Sequence, residues 1–293
     1  MVKPSTDRVT VCYLQELKKQ KQKITALTAY DYPTARILDE AGVDIILVGD
    51  SLGMVVLGYD TTLPVTMDEM IHHTRAVTRA RKRALVIGDM PYLSFHLSLK
   101  DSIQNAARFI KEGGADGVKL EGASPTRLQL VEALVEAEIP VMGHVGLTPQ
   151  SVRKIGGFRV QGKEEEQAEA IFRGALALER AGAFSVVLES VPAELAAEIT
   201  AALKIPTIGI GAGPQCDGQI LVINDLLGLT ADYLPRFVKK YADLAGVISG
   251  AVQSYIADVR EGNYPQAEHC YHLKKEQAGL GRKVRRKVMA GRR

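Results

Sequence analysis

The sequence predicts an α/β fold, a (β/α)8 TIM barrel, and three observations lead to this prediction. Eight short apolar segments alternate with helix-like segments along the chain. These segments are rich in β-branched residues and lack polar alternation, so both faces of each strand are expected to be buried, as in a parallel sheet. The length of 293 residues is typical of one barrel with its helices. A doubly wound sheet is the less favoured alternative.

Local signals mark the strands and the helices that connect them. Pro33 suits the first turn of a helix that Gly42 ends, and Thr66 with Glu69 three residues later forms a capping box. Gly113 and Gly114 are expected to end a helix that begins at Ser98. The predicted strands span residues 24–30, 45–48, 84–87, 118–121, 139–143, 185–189, 205–210 and 220–223. The remaining predicted helices begin at Ser124, Glu164 and Pro192.

Composition predicts a single catalytic barrel over residues 1–272 and a basic C-terminal tail over 273–293. Residues 274–293 contain nine Lys or Arg and one Glu, a charge of +8, whereas the whole chain carries +3. A tail of this composition is expected to be solvated and disordered. It would attract phosphate without specificity, and the rest of the chain has no aromatic and basic groove pattern, so no nucleic-acid partner is expected.

Targeting and cysteine signals predict a cytoplasmic protein without membrane contact. Residues 1–22 are polar and Lys-rich and lack the apolar segment of a secretory signal, and no apolar run approaches the roughly 18 residues of a membrane span. The three cysteines, Cys12, Cys216 and Cys270, are too far apart to suggest a disulfide framework or a paired metal site.

Acidic residues end or closely follow four of the predicted strands, and a histidine ends a fifth. The residues are Asp50, Asp89, Glu121, Glu189 and His144. The carboxyl ends of parallel strands meet at one face of a barrel, where the active site lies, so these side chains are expected to converge. A single buried acid is as often structural as functional. Four at equivalent positions favour a site.

Crowded carboxylates favour a bound cation. They repel one another, and each would have a raised pKa unless a cation lies between them. Mg²⁺ is the default hard ion for oxygen ligands, one ion per subunit, whereas Zn²⁺ is disfavoured because His144 is the only nitrogen ligand among these residues. Lys119 lies two residues before Glu121 and is expected on the same face, where it suits an anionic substrate. A salt bridge in the barrel interior is the alternative role of Lys119.

This set of residues suits the enolisation of a 2-oxo acid. A metal would bind the keto oxygen and the carboxylate and stabilise the enolate, while a free carboxylate removes the proton from the adjacent carbon. Ser51, directly after Asp50, adds a hydroxyl at the strand end. The residues alone do not identify which acid is the base or which molecule is the electrophile.

The chain resembles the ketopantoate hydroxymethyltransferase (3-methyl-2-oxobutanoate hydroxymethyltransferase) family over roughly residues 11–272. Each motif is weak alone, but their order and spacing are specific. The motifs are Thr28-Ala29-Tyr30-Asp31, Val48-Gly49-Asp50-Ser51-Leu52-Gly53, Thr62-Leu63-Pro64-Val65-Thr66, Val118-Lys119-Leu120-Glu121-Gly122, Gly143-His144-Val145-Gly146-Leu147-Thr148-Pro149-Gln150 and Ile208-Gly209-Ile210-Gly211-Ala212-Gly213.

The resemblance implies a TIM barrel of the phosphoenolpyruvate/pyruvate-binding type, assembled as a homodecamer. It implies transfer of a hydroxymethyl group from 5,10-methylenetetrahydrofolate to 3-methyl-2-oxobutanoate (α-ketoisovalerate). The product would be 2-dehydropantoate (ketopantoate), formed through a Mg²⁺-stabilised enolate in pantothenate and coenzyme A biosynthesis.

The resemblance also implies a role for each site residue. Asp50, Asp89 and Glu121 would hold the metal directly or through water. Ser51 and Lys119 would contact the substrate carboxylate, and Asp50 and Asp89 would lie close enough to touch the substrate. Glu189 would be the base at C3, and His144 would line the pocket without an assigned role. The nearest alternative is a metal-dependent carbon-carbon lyase or aldolase acting on another 2-oxo acid, although the Lys-Lys-Cys-Gly-His motif of the lyases is absent.

Overall fold

Eight parallel strands form a closed barrel, and their order around the barrel is their order in the chain. The computed structural model describes residues 8–157, 159–230, 234–274 and 277–291. Each strand pairs with the next, and β8 pairs with β1. The strands are β1 Ile24–Thr28, β2 Ile45–Val48, β3 Leu85–Asp89, β4 Gly117–Lys119, β5 Val141–Gly146, β6 Ser185–Glu189, β7 Thr207–Ile210 and β8 Gly218–Leu221. The TIM-barrel prediction is confirmed.

Helices connect the strands, and their ends follow the local signals in the sequence. The capping box of Thr66 and Glu69 is present, and Gly42 ends its helix in the left-handed conformation at φ 92°. Within the described residues the helices are α1 Val11–Lys19, α2 Tyr32–Ala41, α3 Leu52–Val55, α4 Met67–Ala80, α5 Leu99–Lys111, α6 Pro125–Glu136, α7 Val152–Ile155, α8 Glu165–Arg180, α9 Ala193–Ala202, α10 Ile223–Leu227, α11 Leu244–Glu261 and α12 Leu280–Ala290.

Some strand boundaries differ from the predicted ones. The first strand ends at Thr28, two residues before Tyr30. The fifth begins at Val141, after Pro140, because proline has no N–H to donate to a strand ladder. It then continues to Gly146, so His144 lies within β5 instead of after it.

The helix α1 packs at the amino end of the barrel and was not among the predicted helices. Its residues Leu14 and Leu17 are buried in one apolar cluster with the first residues of β1, β2 and β3, which are Ile24, Ile45 and Leu85. A second and larger apolar cluster includes residues of α2, α4, α5, α6, α8 and α9 together with strand residues. The amino end of the barrel is thus filled with apolar side chains, and polar side chains collect at the carboxyl end.

The chain divides into two units, residues 1–242 and 243–293. The division into a catalytic barrel over residues 1–272 and a basic tail over 273–293 stays a prediction. In the second unit no residue of α11 or α12 is buried. The disordered tail over residues 273–293 stays a prediction; of these residues Leu280–Ala290 form α12, a segment without proline and rich in residues that favour helices. Among the described residues, no helix has both the length and the apolar character required to cross a bilayer.

Candidate active site

The carboxyl end of the barrel brings the predicted site residues together. Asp50 follows β2 by two residues, Asp89 ends β3 and Lys119 ends β4. Glu121 follows β4 by two residues, and Glu189 ends β6. All but Glu189 are buried, and the Glu189 side chain retains 17% exposure. The strand ends therefore form a polar cluster that is closed to bulk water except near Glu189.

Lys119 and Asp89 form a buried ion pair across neighbouring strands. They are register partners in the β3–β4 ladder, and Lys119 Nζ lies 2.7 Å from Asp89 Oδ1 and 2.8 Å from Oδ2. Burial opposes the ammonium charge, but Asp89, Glu121 and Asp50 outweigh it and raise the pKa of Lys119. Lys119 is therefore a permanent cation. The interior salt bridge that the sequence left open is present.

Asp50 lies against this ion pair. Its backbone N–H donates to Asp89 Oδ2 at 3.4 Å. Burial, followed by repulsion from Asp89, raises the pKa of Asp50 to about 7, although Lys119 and a hydrogen bond from Gln150 lower it. The site thus contains more carboxylates than the single Lys119 charge can balance.

Glu121, His144 and Glu189 form a row across β4, β5 and β6. His144 Nδ1 lies 3.7 Å from Glu121 Oε1, and its Nε2 lies 3.3 Å from Glu189 Oε2. Burial lowers the pKa of His144, so the imidazole is neutral near pH 7. Burial is also the main cause that raises the pKa of Glu121; repulsion from Asp50 and Asp89 raises it further, and Lys119 compensates only in part. Glu121 Oε1 is buried without a hydrogen-bond partner among the described residues.

Gln150, in the 3-10 turn Pro149–Ser151 after β5, joins two of the carboxylates. Its Nε2 donates to Asp50 Oδ2 at 2.9 Å, and its backbone N–H donates to Glu121 Oε2 at 3.1 Å. Gln150 was not among the predicted site residues, because its neutral amide does not belong to the charge pattern of the strand ends. Its position in the loop after a site strand was the available signal.

Tyr30 was likewise not selected, and it supports Ser51. Its hydroxyl lies 2.8 Å from Ser51 Oγ. Burial raises the pKa of Tyr30, so the phenol stays protonated and can donate this hydrogen bond. Gly49 leaves room for the arrangement, since an added Cβ would lie 2.7 Å from Ser51 Oγ.

Gly146 holds the backbone of Glu189 in place. It pairs with Glu189 in the β5–β6 ladder and has a φ of +97°, which favours glycine. An added Cβ would overlap the carbonyl oxygen of Glu189, which accepts a hydrogen bond from the N–H of Leu147 at 2.8 Å. The strand end that carries Glu189 is therefore fixed by close backbone contact.

The donor set of the cluster suits a hard cation. Two buried carboxylates with raised pKa values, Asp50 and Glu121, are stabilised as anions by added positive charge. Among the described residues, however, no group of three or more His, Cys, Asp or Glu side chains is arranged to hold a metal directly. Asp89 already has both oxygens on Lys119. Asp50 and Glu121 therefore remain as carboxylate donors, and Mg²⁺ is commonly held by one or two carboxylates with water at its other positions.

A family model and the similar curated proteins all indicate the same family. The family model described as ketopantoate hydroxymethyltransferase matches residues 8–267. The chain is 56% identical over 269 residues to a 3-methyl-2-oxobutanoate hydroxymethyltransferase of Syntrophomonas wolfei, covering 92% of this chain and 97% of the relative. It is 58% identical over 264 residues to the protein of that name from Moorella thermoacetica, covering 90% of this chain and 98% of the relative.

Solved structures with low sequence identity share the fold. A phosphonopyruvate hydrolase in complex with oxalate and Mg²⁺ superposes with a TM-score of 0.57 at 15% identity, covering 96% of this chain and 98% of that one. A 2,3-dimethylmalate lyase of the PEP mutase/isocitrate lyase superfamily gives 0.57 at 16% identity, covering 96% and 99%. At these identities the likeness concerns the barrel alone.

Proposed function

Because the chain belongs to the ketopantoate hydroxymethyltransferase family, we propose that it transfers a hydroxymethyl group from 5,10-methylenetetrahydrofolate to 3-methyl-2-oxobutanoate, giving 2-dehydropantoate in pantothenate biosynthesis. The observation that carries the proposal is the match over nearly the whole chain together with a buried carboxylate cluster at the carboxyl end of the barrel. The cluster contains the Lys119 ammonium, three buried carboxylates whose negative charge exceeds it, and the partly exposed Glu189. These groups suit the enolisation of a 2-oxo acid.

Asp50 and Glu121 would hold one Mg²⁺ per subunit directly, and Asp89 would act on it through water, because Lys119 contacts both Asp89 oxygens. When bound, the metal supplies positive charge that stabilises negative charge on the keto oxygen of the substrate. Without it, the single ammonium of Lys119 faces three buried carboxylates. The charge balance of the cluster supports a divalent ion.

Lys119 and Ser51 would bind the carboxylate of the 2-oxo acid. An ammonium has three N–H donors, and Asp89 accepts from two of them, so one remains for the substrate. With Tyr30 donating to Ser51 Oγ, the Ser51 hydroxyl is free to donate its own proton. Asp50 and Asp89 lie beside these two groups, within reach of the same ligand.

Glu189 would remove the C3 proton of 3-methyl-2-oxobutanoate. Within the described residues its side-chain oxygens accept no well-aligned hydrogen bond, and it is the most exposed carboxylate of the cluster. The neutral His144 lies between Glu189 and Glu121 and would orient the base with its one N–H. The carbanion carbon of the enolate would then bond to the one-carbon unit, whose two C–N bonds to the folate break. One water supplies the hydroxyl oxygen, and tetrahydrofolate leaves with two N–H protons, one from C3 and one from this water.

The family also supports a homodecameric, cytoplasmic enzyme over a single catalytic barrel. The three cysteines are free, which suits a reducing compartment. Size-exclusion chromatography with light scattering tests the decamer, because a monomer or dimer at micromolar concentration would contradict it.

Product formation tests the proposal against the lyase alternative. The protein is incubated with Mg²⁺, 3-methyl-2-oxobutanoate and 5,10-methylenetetrahydrofolate, and the acids are separated by mass spectrometry. We expect 2-dehydropantoate that depends on both substrates and disappears with EDTA. Folate-independent cleavage of 2,3-dimethylmalate or oxaloacetate, without 2-dehydropantoate, would instead assign the barrel to the lyases.

A further inference from the structure

We propose that Gln150 is a positioning residue that fixes two of the three carboxylates assigned to the metal, Asp50 and Glu121, in one arrangement; this inference rests on the metal-dependent function proposed above. No charge pattern identifies Gln150, yet it is 6% exposed and contacts residues that follow three different strands. It connects the loop after β5 to the ends of β2, β3 and β4.

The hydrogen bonds determine how the Gln150 amide is oriented. Its Nε2 donates at 2.9 Å to Asp50 Oδ2 and at 2.9 Å to the carbonyl oxygen of Met90, the residue after Asp89. A backbone carbonyl only accepts, so the NH₂ group and not the amide oxygen must face it. Both side-chain N–H groups are thus used, one on the cluster and one on the backbone that anchors it.

The backbone of the same residue fixes the second carboxylate. Its N–H donates to Glu121 Oε2 at 3.1 Å, while Glu121 Oε1 is buried without a hydrogen-bond partner among the described residues. A donor on one oxygen orients a carboxylate and leaves its other oxygen for a cation. Gln150 applies this arrangement to Asp50 with its side chain and to Glu121 with its main chain.

A neutral amide is the side chain that suits this position. A Glu here would add a fourth buried negative charge beside Asp50, and a Lys would place a permanent cation where the metal is required. Gln150 Oε1 is itself buried and has no partner within the described residues. It is therefore an acceptor for a proton of a bound water or of the substrate, which a residue with a packing role alone does not require.

Direct binding of Mn²⁺ to Gln150→Met tests the inference. Met has similar length and volume but donates no hydrogen bond, and the main-chain contact with Glu121 is kept. Titration followed by the electron paramagnetic resonance signal of free Mn²⁺, without substrate, should show a dissociation constant raised by at least about tenfold. Gln129→Met, an exposed glutamine on α6, is the matched control and should bind as the wild type does.

The outcomes separate this inference from the proposed function. If Gln150→Met is folded by circular dichroism and binds Mn²⁺ as tightly as the wild type, Gln150 is a packing residue and the inference is wrong. If the Met variant does not fold, Gln150→Asn replaces it, since a shorter amide cannot reach Asp50 and Met90 together and should also weaken Mn²⁺ binding. A wild type that forms 2-dehydropantoate without any divalent ion would overturn the metal-dependent mechanism itself, and the inference with it.

Discussion

The Asp50→Asn variant tests the charge balance of the site through the pH dependence of folding stability. In the metal-free protein, burial and repulsion from Asp89 raise the Asp50 pKa from 3.8 to about 7. The folded protein therefore binds this proton more tightly than the unfolded chain does. The corresponding stability is fully present below the unfolded pKa and is lost as the pH rises through the folded pKa.

The two pKa values give the size of the effect. A shift of about three pH units corresponds to about 4 kcal/mol well above pH 7, and more than half of this stability is lost between pH 5 and pH 8. The Asn side chain has nearly the same volume and can still accept the hydrogen bond from Gln150, but it does not ionise. Metal-free Asp50→Asn should therefore be the more stable protein at pH 8, with an advantage that declines toward pH 4.

Urea unfolding measures this difference. Both proteins are unfolded in EDTA at one protein concentration, the transition is followed by circular dichroism, and the free energies are subtracted at each pH so that other titrating groups cancel. Added Mg²⁺ should stabilise the wild type and not the variant. Parallel stability curves for the two proteins between pH 5 and pH 8 would refute the argument that the Asp50 carboxylate is destabilised by its surroundings.

Three further substitutions test separate parts of the site. Glu189→Gln should slow C3 proton exchange by about 10²–10⁴-fold while calorimetry shows near wild-type binding of Mn²⁺ and the 2-oxo acid, and unchanged exchange would exclude Glu189 as the base. Gly146→Ala should lower the free energy of unfolding by about 2 kcal/mol or more, because its Cβ would overlap the Glu189 carbonyl at a positive φ; wild-type stability in urea would mean that the loop adjusts. Tyr30→Phe should raise the KM for the 2-oxo acid by about 2- to 10-fold through loss of the hydrogen bond to Ser51, and an unchanged KM would contradict that role.

The sequence predicts the barrel well because its signals are repeated. Eight apolar segments of similar length give the strand count, and local rules such as the Thr66 capping box and the Gly42 helix end are confirmed at single residues. The helix α1 was missed because its two buried leucines, Leu14 and Leu17, are surrounded by Lys, Gln and Glu. The helix is stabilised by contacts with strand residues that are distant in the sequence, and a local sequence pattern does not reveal such contacts.

The site is predictable where charge marks it and unpredictable where neutral groups support it. Strand-end acids converge because parallel strands end at one face, and the Lys119–Asp89 pair follows from their register. The contacts of Gln150 and Tyr30 depend on how two loops fold over the strand ends. The contact of Lys119 Nζ with both Asp89 oxygens also depends on side-chain positions that no sequence pattern specifies.

Exchange of the C3 proton of 3-methyl-2-oxobutanoate with deuterium from the solvent tests the central claim most directly. Proton NMR follows the exchange with the wild-type protein, with Mg²⁺ or with EDTA, and without folate. We predict exchange that requires Mg²⁺ and does not require folate, because enolisation precedes attack on the one-carbon unit. No exchange by a folded, Mg²⁺-loaded protein would contradict it.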